Sequence, residues 1–189
     1  MLKHTDGNLK IGLSQRIFYH HGRAYDSIEH GYYSFLKEHM LFPVKNTPHQ
    51  DFDELADELD MFIITGGDDS VLRRTIEIRL ASRVMQRNKP VIGICHGAFL
   101  LTDLLGGKVE EIQNHSDTNH SVYYFGDEYY VNSYHSLSIP QTHDTATTLV
   151  VDPNGHCEAW IDKKLAGIVW HPERMEKPWI PDEIQTLFK

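Results

Sequence analysis

The sequence predicts an α/β fold: a mainly parallel sheet with helices on both faces, plus an antiparallel extension. Three observations carry this expectation. Up to Gly107, short apolar runs rich in β-branched residues alternate with amphipathic stretches of helical period, the pattern of strand–helix–strand crossovers in a parallel sheet. Two of those runs end in glycines, as Gly66-Gly67 and as Gly93-Ile94-Cys95-His96-Gly97, which marks tight turns at the carboxyl edge of the sheet. Beyond Gly107 the helical period gives way to extended segments joined by turn residues.

Taken in order, "LKIGLSQRIF" is expected as a buried first strand. "DSIEHGYYSFLKEH" is expected as a helix capped by Asp26 or Ser27, with Glu29 in its first turn. "LFPV" reads as a short strand and "DFDELADEL" as an acidic amphipathic helix. "DMFIITGGDD" is a β-branched strand closing on its glycine pair, "TIEIRLASRVMQRN" a third helix, and "PVIGIC" a further strand entering an apolar helix that ends at Gly106-Gly107. The later segments "VYYFGDEYYVNSYHSLSI", "ATTLVVDPNGHCEAWID" and "LAGIVW" are extended, with Asp152-Pro153-Asn154-Gly155 as a turn. Tyr123, Tyr124, Tyr129 and Tyr130 flank another turn and are read as filling a sheet face. With 189 residues and no low-complexity segment or shift of composition, the chain is expected to form one domain over residues 1–189.

Charge and composition exclude several classes of function. Eighteen basic against twenty-seven acidic side chains leave a net charge of -9, which opposes binding to nucleic acid or to anionic membranes. No apolar stretch is long enough to cross a bilayer, and "MLKHTDGNLK" lacks the apolar core of a signal peptide, so a soluble cytoplasmic protein is expected. The two cysteines, Cys95 and Cys157, are read as thiols, with Cys157 in core packing. Despite thirteen histidines there is no His-Glu-x-x-His or Cys-x-x-Cys spacing, and His115 and His120 sit in the polar stretch "NHSDTNH". No metal and no cofactor is expected.

The chemistry centres on Cys95. Gly-x-Cys-x-Gly between a strand and a helix is the cysteine form of a nucleophile elbow, in which a tight turn exposes the thiol. The backbone N–H of His96 then lies at the start of a helix, where partial positive charge favours a thiolate and stabilises an oxyanion. In a parallel sheet Gly66-Gly67 emerges on the same edge, so the N–H of Gly67 is the expected second oxyanion donor. "GIVWHPER" brings His171 and Glu173 after another apolar strand, a base and a carboxylate to orient it.

These residues resemble, in order and over residues 60 to 175, the class I glutamine amidotransferases and their γ-glutamyl hydrolase relatives. The matching segments are Gly66-Gly67, the elbow with its helix and Gly106-Gly107, Val131-Asn132-Ser133-Tyr134-His135-Ser136-Leu137, and Trp170-His171-Pro172-Glu173. The resemblance implies a flavodoxin-like sheet and a Cys-His-Glu triad on Cys95, His171 and Glu173. It also implies that backbone around Tyr134, His135 and Ser136, with Gly66 nearby, holds the glutamyl α-amino and α-carboxylate groups. One position departs: where glutamine-hydrolysing members usually carry glutamine two residues after the second elbow glycine, this chain has Phe99.

The expected activity is therefore hydrolysis of a γ-glutamyl amide through a glutamyl thioester. The loops beside Cys95 hold Arg16, His20, His21 and Arg23 on one side and Arg73 and Arg74 on the other. In so acidic a chain these arginines imply an anionic leaving group, because guanidinium forks match phosphate oxygens, and the resemblance implies that it is a nucleotide; the alternative for Arg73 and Arg74 is pairing with Asp68, Asp69 and Glu77. Other readings on the same fold are a hydrolase of another γ-glutamyl amine and a glutaminase subunit that passes ammonia to a separate synthase. A third is a non-catalytic binding protein.

Overall fold

The computed structural model describes residues 7–112 and 116–189; His115 lies outside them. The first strand, β1 (Lys10–Ser14), is followed by a hairpin of β2 (Arg16–His20) and β3 (Arg23–Ser27), then α1 (His30–Phe35) and β4 (Met40–Val44). Next come α2 (Phe52–Glu58), β5 (Met61–Ile64), α3 (Val71–Gln86), β6 (Val91–Ile94) and α4 (His96–Leu104). The later strands are β7 (Lys108–Glu111), β8 (Ser116–Tyr124), β9 (Asp127–Tyr134), β10 (Leu137–Gln141), β11 (Thr147–Val151), β12 (Cys157–Asp162) and β13 (Leu165–Ile168). A 3-10 turn at Pro172–Arg174, α5 (Asp182–Gln185) and a last 3-10 turn close the chain.

Nine strands form one sheet in the order β4-β1-β5-β6-β13-β12-β11-β8-β9. The five from β4 to β13 are parallel, and the chain order within them is that of a flavodoxin-like sheet. Every residue of β5 and β6 is buried, as strands covered on both faces require. From β12 outward the pairing is antiparallel. A separate antiparallel pair, β7 with β10, lies beyond α4.

The expected first strand and first helix are both shorter than read. The strand ends at Ser14, and residues 16 to 27 form the β2–β3 hairpin instead. His21 and Gly22 at its tip both have positive φ (48° and 73°), the mark of a two-residue turn whose twist suits a hairpin. Asp26 is consequently in a strand, where its carboxylate accepts from Asn46, and it caps no helix. The third helix starts earlier than expected because the Ser70 hydroxyl accepts from the backbone N–H of Arg73.

Register sets the functional edge. Ile64 pairs with Gly93, and Ile94 with Ile168, so Thr65-Gly66-Gly67, Cys95 and Val169-Trp170-His171 leave the sheet side by side. α4 can begin there only because its first turn lies almost against β5. A Cβ on Gly97 would stand 2.2 Å from the carbonyl oxygen of Ile64, and one on Gly93 would stand 2.2 Å from the backbone of Gly97. Neither obstacle is a side chain that can swing away. Gly97→Ala is expected to cost about 2 kcal/mol or more in stability, measured as a lower urea midpoint than the parent.

Candidate active site

Cys95 joins β6 to α4 with φ 50° and ψ −104°, a conformation uncommon for any residue but glycine. Its N–H donates to the Ile168 carbonyl at 2.8 Å, which anchors the turn to β13. A cleft of about 310 Å³ opens above it, with Gly67, Cys95, His96, Phe99, Tyr134 and His135 among its walls. The side chain of Phe99, where a glutamine was the alternative, is buried, and its ring lies 5.7 Å from that of His135. Ser136 also lines this cleft.

His171 sits at the end of the segment after β13 and is 1% exposed. Its Nδ1–H donates to Glu173 Oε1 at 2.6 Å, and the ring lies close enough to Cys95 for the two groups to influence each other's charge. Burial alone would push the imidazole toward its neutral form. The hydrogen bonds and negative charges of Cys95 and Glu173 outweigh burial and raise its pKa to about 9. The backbone at His171 is clamped by Asn132, whose amide accepts from its N–H and donates to its carbonyl, both at 2.8 Å. Gly66 packs on the ring itself: a Cβ there would come within 2.4 Å of His171 Cε1. Tyr134 covers another side, edge-on with ring centroids 5.6 Å apart.

Two supports had no signal in the sequence. Tyr32 of α1 is buried, and its hydroxyl accepts from the N–H of Gly66 at 3.0 Å. Burial, followed by the nearby charge of Glu173, raises the Tyr32 pKa, so the phenol stays protonated beside the glycine loop. The second is Glu29, expected as an ordinary first-turn residue. It stands at the N-cap position without capping, and its carboxylate accepts from Arg174 at 2.8 and 2.7 Å and from Arg16 at 2.9 Å.

The arginines divide. Arg16 lies along the glycine loop, donating to the Gly66 carbonyl at 3.2 Å. Arg23 stands at the far end of the hairpin, exposed and paired across the strands with His20. Arg73 does not face the cleft: it is fully buried, donating to the carbonyls of Thr65 and Asp68 at 2.5 and 2.9 Å and to Glu77 at 2.7 Å. Its place in the first turn of α3 aims the guanidinium back at the loop that follows β5, where backbone carbonyls take up its donors. Glu77 in turn binds the ring of His96 at 2.8 Å. Arg74 lines the cleft, with Asp103 at 2.7 Å and Asp69 at 3.6 Å, so its charge is already matched.

Cys157 is a buried thiol that donates to the Ala159 carbonyl, and burial pushes its pKa up to about 12. Among the described residues no group of three or more His, Cys, Asp or Glu is arranged to hold a metal ion, and no helix is long and apolar enough to cross a membrane.

Residues 21–188 match the model of the family "Glutamine amidotransferase class-I". A γ-glutamyl-CDP-amidate hydrolase of Campylobacter jejuni is 25% identical over 183 residues, covering 87% of this chain and 90% of that protein. The fold is similar to that of a glutamine amidotransferase from Thermotoga maritima, with a TM-score of 0.69 and 15% identity over 88% of this chain and 76% of that one. It is also similar to a glutamine amidotransferase from Methylobacillus flagellatus, with a TM-score of 0.61 and 15% identity over 89% of this chain and 71% of that one. The chain belongs to the class-I glutamine amidotransferase family.

Proposed function

We propose that the chain is a single-domain cytoplasmic hydrolase that cleaves γ-glutamyl-CDP-amidate to glutamate and cytidine diphosphoramidate, in capsular polysaccharide biosynthesis. The observation that supports the hydrolase is a cysteine in a strained turn beside a buried histidine that is paired with a carboxylate. The substrate rests on the similarity to the Campylobacter jejuni protein over 87% of the chain and on Phe99 at the cleft wall in place of glutamine.

In this mechanism the Cys95 thiolate attacks the glutamyl δ-carbonyl carbon. The resulting oxyanion rests on the N–H groups of Gly67 and His96. His171, held as imidazolium by its two partners, gives its proton to the departing nitrogen as the C–N bond breaks. The leaving group departs as the phosphoramidate of cytidine diphosphate, and a glutamyl thioester remains. His171, now neutral and oriented by Glu173, takes a proton from water as the water oxygen attacks the thioester. Glutamate leaves and the thiolate–imidazolium pair returns. Backbone around Tyr134, His135 and Ser136 holds the α-amino and α-carboxylate groups throughout.

Three outcomes are expected. Cys95→Ala keeps the fold by circular dichroism and loses at least about a thousandfold in kcat; an active variant overturns the assignment of the nucleophile. Among γ-glutamyl-CDP-amidate, glutamine and γ-glutamyl-aminobutyrate, the first has the highest kcat/KM, and the substrate reading fails if glutamine exceeds it. The third concerns pH. The His171 pKa is raised on folding, so its imidazolium contributes stability that is complete below the ordinary value of 6.5 and disappears as pH rises through about 9. In Cys95→Ala the His171 pKa, followed by NMR titration of its ring protons, falls below the parent's.

A further inference from the structure

The leaving group must lie beyond His171, because that ring protonates the departing nitrogen. Two walls bound this region. On one, Gly66 packs against the ring and carries Arg16; on the other, Tyr134 packs against it with the Arg174 guanidinium 4.5 Å from its own ring centroid. Glu29 bridges the two guanidiniums, and Arg174 also lies 4.0 Å from the Glu173 carboxylate. Both arginines are partly exposed, with side chains 28% and 22% accessible.

Arg16 is also the root of the β2–β3 hairpin. Side chains alternate along a strand, so Arg16, Phe18 and His20 share one face with their cross-strand partners Ser27, Tyr25 and Arg23. That face begins at the glycine loop and runs outward for about 13 Å, the reach of a nucleoside diphosphate. Its middle rung is a pair of aromatic rings, Phe18 and Tyr25, stacked with centroids 5.3 Å apart and 25° between planes. They are 48% and 42% exposed, and neither packs on the hydrophobic core. Burial of the protein's own apolar surface does not account for this rung. Paired rings open to solvent, next to cations, are a stacking platform for a nucleobase.

We propose that this hairpin face is the leaving-group subsite, with Arg16 and Arg174 on the phosphates, the Phe18–Tyr25 pair under the base, and His20 and Arg23 at its outer end. The inference rests on the substrate reading above and names the residues that select that substrate. Arg174 and the two aromatic residues were not among the candidates read from the sequence.

The test is calorimetric titration of the full chain with CDP and, separately, with inorganic pyrophosphate. CDP is expected to bind the parent. The Phe18→Ala/Tyr25→Ala variant, altered only at exposed side chains, is expected to bind CDP about tenfold or more weakly while its pyrophosphate affinity and melting temperature stay at the parent's values. Arg174→Lys weakens CDP and pyrophosphate alike, since a point charge replaces the fork. If CDP binds the parent and the double variant equally, the hairpin assignment is overturned and the substrate reading stands. The hairpin assignment is likewise overturned if the double variant keeps its CDP affinity but changes its mass in solution, which makes the hairpin a contact between copies. If CDP does not bind the parent and γ-glutamyl-CDP-amidate is not cleaved, the substrate reading itself falls.

Discussion

At Cys95 the backbone is bent into a conformation that a side chain ordinarily avoids, and the surroundings hold it there. Its N–H is tied to Ile168 on β13, α4 starts immediately after it, and Gly93 and Gly97 let backbone approach backbone where any Cβ would collide. Strain of this kind costs on the order of 1–3 kcal/mol and persists only when neighbours over-determine the geometry. Here the neighbours are three parallel strands in fixed register. The position of the thiol is thus a property of the sheet rather than of a loop.

The rest of the site is tied to that same edge by polar side chains that reach across elements. Arg73 and Glu77 of α3 form a fully buried pair that gathers the carbonyls after β5 at one end and grips His96, beside the thiol, at the other. Breaking such a pair strands an uncompensated charge, which makes it a strong positional constraint even where its net contribution to stability is small. On the opposite side Asn132 of β9 fixes the backbone of His171, and the buried hydroxyl of Tyr32 of α1 holds the N–H of Gly66 in the glycine loop. The antiparallel extension and the first helix therefore do more than cover the sheet; each sends one buried side chain to the edge that holds Cys95 and His171.

Much of this was legible in the sequence because it depends on local pattern. Apolar runs that end in glycine identify β5 and β6, and their separation by a helical stretch makes them parallel neighbours, which brings Gly67 and Cys95 to one edge. The proline-stiffened turn holding Glu173 next to His171 is a matter of two residues' spacing. What escaped was set by pairing at a distance. Residues 16 to 27 read as strand end and helix start because Ile17, Phe18 and Tyr19 continue an apolar run, and the positive φ of His21 that closes the hairpin has no strong signature in a histidine. Arg73 and Arg74 are adjacent in sequence but lie about 100° apart around a helix; one is buried under the loop and the other stands at the cleft. Tyr32 and Glu29 sit in or beside a helix of six residues whose position against the turn at Pro172 no local pattern encodes.

Cys157 is the only other sulfhydryl in the chain, and its burial next to Glu158 keeps it protonated up to about pH 12. On the mechanism proposed above, a haloacetamide offered to the folded protein at neutral pH reacts at Cys95 and leaves Cys157 untouched. Each molecule then carries at most one adduct, and the fraction labelled counts elbows that are correctly formed. The silent cysteine also provides an internal standard: its modification reports loss of the fold, so intact sites and unfolded chains can be counted separately in one mass spectrum.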